Sequence, residues 1–185
     1  MKRLTVYHGS FTVVEKPELD KCEDGKDFGK GFYVTTSQKQ AERFCKSAVG
    51  KALKNGKITD SQDVGFVSVY ELDLQDNLDI YEFEKTDAVW LRCVGGHRKK
   101  NLFEGEIGKW QQFDIIIGKI ANDTTNRIIT NFINGDYGDP DTDSAVSIAI
   151  SLLKTDKLSD QECLRTKKAL ENLHFKESYE VRINE

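Results

Sequence analysis

Apolar positions along this chain recur either every second residue or at a period near 3.6, and the two periods divide it into strands and helices. Leu4 to His8 reads as a short strand ending at Gly9-Ser10, and residues 15–30, rich in Asp, Lys and Gly, read as a loop. Gly31 to Thr35 is aromatic and β-prone. Ser37-Gln38-Lys39-Gln40 has the spacing of a capping box, in which a Ser hydroxyl and a Gln side chain satisfy free N–H groups reciprocally. The helix it predicts carries Ala41, Phe44, Cys45, Ala48, Ala52 and Leu53 on one apolar stripe, and Gly56 ends it.

Gly65 to Leu74 alternates apolar and polar side chains as a half-buried strand does, and Leu78 to Phe83 reads as a shorter one. Thr86 to Val94 predicts a helix closed by Gly95-Gly96. Phe113 to Gly118 is an apolar run suited to a central strand. Asp123 is placed to cap a helix bearing Ile128, Ile129, Phe132 and Ile133. After a loop over Gly135–Asp141, Ala145, Ile148, Ala149, Leu152 and Leu153 predict another helix. Gln161 to Leu164 reads as a strand, Thr166 caps a short helix, and Tyr179 to Ile183 alternates like a final strand. The fold class expected is α+β in one domain over residues 1–185, with strands too scattered for a regular βαβ array.

Composition narrows the function classes. Of 185 residues, 38% are hydrophobic and 31% charged, as in an ordinary globular domain. No apolar run approaches the roughly 18–20 residues of a membrane helix, and no signal-peptide core precedes the first strand, so a cytoplasmic location without membrane partners is expected. A net charge of −4 argues against general nucleic-acid binding, which requires Lys and Arg to neutralise phosphates. Arg98-Lys99-Lys100 is read as a solvated loop, with a local anion contact as the sharper alternative. Cys22, Cys45, Cys93 and Cys163 are as dispersed as His8, His97 and His174, so no metal site is expected and the thiols are read as structural.

The chemistry-bearing residues sit early in the chain. Gly29-Lys30-Gly31 before Tyr33 lacks the spacing of a phosphate loop, and the segment that follows is a strand, not a helix. Glycines flanking an aromatic strand instead let backbone approach a flat ligand, and His8-Gly9 pairs an imidazole with an unobstructed backbone. Taken singly, His8, Tyr33 and Phe44 are as readily structural; their order along the chain is what carries information.

Tyr7-His8-Gly9-Ser10, Phe28-Gly29-Lys30-Gly31-Phe32-Tyr33 and the helix with Phe44-Cys45 resemble the catalytic domain of poly(ADP-ribose) polymerases. The whole chain is closer still to bacterial ADP-ribosyltransferase-like proteins of domain-of-unknown-function family 3990. That likeness rests on Tyr7-His8-Gly9-Ser10, Asp27 through Thr36, Asp114-Ile115-Ile116 with Ala121-Asn122-Asp123, and Asp160-Gln161 ahead of Thr166.

The resemblance implies a split antiparallel β-sheet core with surrounding helices, and NAD as the substrate. It assigns cofactor contacts to His8, Gly9, Ser10, Gly31, Tyr33 and Phe44: His8 on a ribose hydroxyl, Gly9 backbone on the nicotinamide carboxamide, Tyr33 and Phe44 sandwiching the ring. Gln161 occupies the third catalytic position beside His8 and Tyr33, where the polymerases carry Glu. A Gln exchanges hydrogen bonds but is no base and brings no negative charge. Ala41 stands where the polymerase helix bears a Ser. Single-unit transfer of ADP-ribose to an acceptor therefore replaces chain elongation as the expectation, in a bacterial toxin with an antitoxin partner. Two other readings stay open: an NAD glycohydrolase or inactive NAD or ADP-ribose binder, and an interaction module meeting nucleic acid through residues 98–100.

Overall fold

The computed structural model describes residues 2–59, 62–120, 123–153 and 159–183, with Asp123 described in its backbone alone. Among these residues seven strands form two sheets. The first is antiparallel, in the order β1 (Lys2–Ser10), β3 (Val64–Leu74), β7 (Leu173–Arg182). The second runs β2 (Phe32–Val34), β6 (Asp160–Leu164), β5 (Ile115–Lys119), β4 (Ile80–Glu82). An isolated antiparallel bridge between Tyr7 and Thr35 stitches β1 to β2. The expected α+β class holds. Antiparallel pairing, expected of the core, is found in four ladders, and the fifth, between β4 and β5, is parallel. Between them the chain crosses over through α2 (Ala88–Arg98) and α3 (Glu104–Ile107), as a parallel pair requires.

The layers follow from the pleat. Val6, Tyr70 and Leu72 of the first sheet meet Phe32, Val34, Ile115, Ile117 and Leu164 of the second in a core between the sheets. On its other face the second sheet turns Ile116 and Cys163 toward α2, α4 (Asp123–Asn134) and α5 (Asp143–Leu152), where Trp90, Leu91, Ile129 and Phe132 are fully buried. On the outer face of the first sheet, α1 (Gln38–Lys54) packs Ala41 and Cys45 against Val67 and Val69. A short α6 (Lys167–Glu171) leads into β7, and Thr166 caps it by accepting from Ala169 N–H at 3.1 Å.

Local signals were overridden in four places. Ser37 does stand at the N-cap of α1, but its side chain makes no cap bond; its N–H donates to Thr35 Oγ1 at 3.1 Å instead. Thr35 lies on the bridge to β1, so the chain enters α1 from a position fixed by the sheet. The buried stripe of α1 is Ala41, Cys45, Val49 and Ala52, and Phe44 is 47% exposed. Helix α2 runs through Gly95-Gly96, because a Cβ on Gly96 would lie 2.3 Å from Ile107 Cδ1. Those glycines admit α3, and that packing offsets a helix-propensity cost of about 1 kcal/mol each. In α5 the buried residues are Ala145, Val146 and Ala149, while Ile148 and Leu152 face outward. The expected cap at Asp123, with Ala121-Asn122, lies outside the described residues.

Gly9 shows how tightly α1 is seated. A Cβ there would lie 2.1 Å from the carbonyl oxygen of Ala41, a backbone atom no rotamer change can move. Gly9→Ala is expected to lower stability by about 1–3 kcal/mol by forcing α1 off the sheet. A thermal melt checks it, at roughly 2–4 °C per kcal/mol for a domain of this size.

Candidate active site

His8 and Tyr33 come together where β1 and β2 part beyond the Tyr7–Thr35 bridge. Tyr7 and Thr35 exchange backbone bonds of 2.8 and 3.0 Å, so Tyr7 turns its N–H and C=O toward β2. By the two-residue period of the ladder Gly9 does the same, presenting a donor and an acceptor to the opening between the strands. His8 Nδ1 lies 2.8 Å from the Tyr33 carbonyl oxygen. A carbonyl only accepts, so Nδ1 carries the proton and Nε2 is left as an acceptor. Burial pushes the His8 pKa down, against the opposing effect of the Tyr33 carbonyl, which keeps the ring neutral at pH 7. The imidazole lies against Phe32, ring centroids 4.4 Å apart.

Tyr33 is half-buried and its hydroxyl is engaged within the protein. It donates to Gly29 C=O at 2.8 Å and accepts from Phe28 N–H at 2.9 Å, closing the 28–33 turn. Burial, reinforced by the neighbouring Cys163 and Asp27, raises its pKa well above the usual phenol value. The glycines of that turn serve the protein's own packing. A Cβ on Gly29 (φ +81°) would lie 2.6 Å from His97 Cδ2, and one on Gly31 2.5 Å from Cys163 Sγ. The expected close approach of a ligand to Gly31 is therefore replaced on that side by β6 and α2. His97, missed in the sequence, is the residue seated on Gly29; its Nδ1 holds Cys93 C=O at 2.8 Å.

Gln161 is 6% exposed and belongs to a buried polar chain. Its Nε2 donates to Asp27 Oδ2 at 3.0 Å. The other Asp27 oxygen accepts from Arg98 Nε at 2.8 Å and Nη2 at 2.5 Å, and Arg98 Nη1 donates to Asn126 Oδ1 at 2.6 Å. Asp27, paired with Arg98, accepts from the amide, so the Gln161 NH₂ faces Asp27 and its carbonyl oxygen points away. Arg98 is thus no solvated loop residue, and Lys99 beside it donates to Ile133 C=O at 2.6 Å. Arg98 could not be read from sequence because its partner lies 71 positions away.

Strand pleat decides which of these side chains can converge. Tyr33 pairs with Cys163 and Val34 with Glu162, so Tyr33 and Gln161 share the face toward α2. His8, packed on Phe32, shares the opposite face with Val34 and Glu162. His8 therefore reaches Tyr33 through its backbone carbonyl and does not meet Gln161. Ser10, 9% exposed, lies on the His8 face at the end of β1, and Phe44 sits on the turn of α1 that covers Gly9. Glu162, 2% exposed, has an Oε2 with no hydrogen bond. Burial, with Asp160 and Glu82 nearby and Lys2 opposing, raises its pKa to about 7.

Cys45, Cys93 and Cys163 are buried and Cys22 is partly so, all as free thiols. Among the described residues no cluster of three or more His, Cys, Asp or Glu is placed to hold a metal, and no helix is long and apolar enough to cross a membrane. No curated protein matches the chain. The family described as a protein of unknown function, DUF3990, matches residues 4–175, which takes in every strand and helix from Leu4 through the start of β7. The chain belongs to the DUF3990 family.

Proposed function

We propose that the chain binds NAD at the opening between β1 and β2 and transfers a single ADP-ribose unit to an acceptor. The observation that carries the reading is the junction itself. Gly9 offers one backbone donor and one acceptor, the pair a carboxamide needs, beside the unprotonated Nε2 of His8 and the exposed ring of Phe44. His8 Nε2 accepts from a ribose hydroxyl. Phe44 supplies an aromatic face for the cationic nicotinamide ring, and Tyr33, whose side chain lies on the other face of β2, holds the 28–33 turn through Gly29 and Phe28. In the reaction the glycosidic C–N bond breaks and nicotinamide leaves with the electron pair. The ribose carbon, by then oxocarbenium-like, bonds to the acceptor, which gives up its proton to solvent. Gln161, on the other face of β6, acts on the site only through Asp27 and the turn that leads into β2.

A second reading, NAD hydrolysis or binding without transfer, is favoured by one specific observation. The carboxylate that Gln161 bonds is that of Asp27, and it is already held by Arg98. NAD labelled in the adenosine half separates the outcomes with the purified full chain and a cell lysate as acceptor source. Label on macromolecules supports transfer, free ADP-ribose means hydrolysis, and intact NAD with measurable binding leaves a binder. No binding by calorimetry overturns the proposal. His8→Ala is expected to reduce turnover about a hundredfold, the usual scale for losing one positioned hydrogen-bonding group. Toxicity follows from the same chemistry: expression of the parent chain arrests growth and expression of His8→Ala does not.

A further inference from the structure

At the far edge of the second sheet, three strands away from β2, two adjoining concavities of about 220 and 370 Å³ share Tyr81 and Val89 as common walls. The first is aromatic. Tyr81 packs edge-on against Trp110 at 4.8 Å and tilted against Phe113 at 5.1 Å between ring centroids. Val89, at the first turn of α2, is 39% exposed above them. The second runs along β4 past Glu82 and Glu84.

Strand β4 pairs with β5 on one side, and among the described residues no strand covers the other. Asp79 C=O accepts from Ile115 N–H at 3.2 Å and Phe83 N–H donates to Ile117 C=O at 2.8 Å, so the odd-numbered residues face β5. Ile80 and Glu82 therefore present their N–H and C=O groups to the open edge, where an added strand can bond. A residue opposite Tyr81 in such a strand points its side chain to the Tyr81 face, into the aromatic groove. Its two neighbours point to the other face, alongside the Glu82 carboxylate. Glu82 and Glu84 have no ion-pair partner among the described residues, and with Asp87 they outnumber Lys85 on the lining of the second concavity, while Lys109 beside the aromatic one is paired with Glu106, so the rim is net negative.

We propose that this edge is a docking site for an extended segment of a partner protein, one that places a large apolar side chain in the Tyr81–Val89 groove and Lys or Arg on either side of it. Main-chain bonds to Ile80 and Glu82 supply affinity, the groove selects the central side chain, and the carboxylates select its neighbours. The site lies on the opposite sheet edge from His8 and Gly9 and is independent of the NAD reading.

The probe is the peptide acetyl-Gly-Lys-Val-Lys-Phe-Lys-Val-Lys-Gly-amide, titrated into the isotope-labelled full chain and followed by amide and indole resonances. Saturable shifts at Ile80, Glu82 and the Trp110 indole are expected. A peptide with Glu in place of Lys, and one of the same composition with its four Lys and its apolar residues in separate blocks, should bind at least about tenfold more weakly, since alternation and charge both contribute. Val89→Glu should weaken binding by about tenfold or more with an unchanged melting temperature, because Val89 is a surface residue at the groove's centre. Equal binding of the block peptide, shifts away from β4, or no binding overturns the proposal. Concentration-dependent dimers abolished by Val89→Glu also overturn it, since the occupant would then be a second copy of this chain.

Discussion

Asp27→Ala unfolds this protein at a markedly lower temperature than the parent. The carboxylate ties three elements together: Arg98 at the end of α2, Gln161 on β6, and the turn that leads into β2. The side chains of Arg98 and Asp27 are 16% and 12% exposed, so water replaces little of what is lost. Removing one partner of such a pair strands the other charge, at a cost of about 3–5 kcal/mol. At roughly 2–4 °C per kcal/mol the melting temperature falls by about 6–20 °C. Gln161→Leu removes one hydrogen bond to a charged group and costs about 1.5–3 kcal/mol. The double variant Asp27→Ala/Arg98→Ala should recover part of the loss, because the guanidinium is no longer buried unpaired; if the two single losses simply add, the pair is not coupled. Thermal and urea unfolding of the parent, Asp27→Ala, Arg98→Ala and the double variant decide it.

Glu162→Leu makes the protein more stable at pH 8 and leaves it nearly unchanged at pH 4. Glu162 sits between Val34 and Ile117 on the apolar face between the sheets, and its pKa rises from 4.5 to about 7. Below pH 4.5 the carboxyl is protonated in both folded and unfolded chains and costs nothing by titration. Between 4.5 and about 7 the unfolded chain loses the proton while the folded chain keeps it, so stability falls as pH rises. Above that the folded form ionises too and the loss levels off at about 3 kcal/mol, since each pH unit separating the folded and unfolded pKa values is worth about 1.36 kcal/mol. Leucine removes the titration and fills the same apolar position. Urea unfolding of parent and variant at pH 4, 6 and 8 should show the gap open across that window. A constant gap would mean that Glu162 titrates in the folded chain as it does in the unfolded one.

The strands and helices were legible where one face is buried and the other wet. Phe113 to Gly118 announced a central strand because both faces of β5 are covered, and α4 showed its buried stripe through Ile128, Ile129, Phe132 and Ile133. Where the sequence misled, a tertiary contact outweighed a local preference. Gly95-Gly96 read as a helix stop, yet α2 continues because Ile107 of α3 needs the space above Gly96. Phe44 read as core, yet the seating of α1 on Gly9 turns it outward.

For the site, the sequence by itself named His8, Gly9, Tyr33 and Gln161 and the order in which they occur, since motif order is a property of the chain. The strand expected over Gln161 to Leu164 puts Gln161 and Glu162 on opposite faces, because a strand alternates with period two. Which of those faces His8 shares depends on how β1 and β2 are stitched, and the Tyr7–Thr35 bridge decided that: His8 lies with Glu162, while Tyr33 lies with Gln161. Likewise only the tertiary structure joined Asp27 to Arg98 and Gln161, across 71 and 134 positions. Periodicity reports each segment's environment; the pairing of distant segments is set by packing and hydrogen-bond satisfaction over the whole fold, which no local window contains.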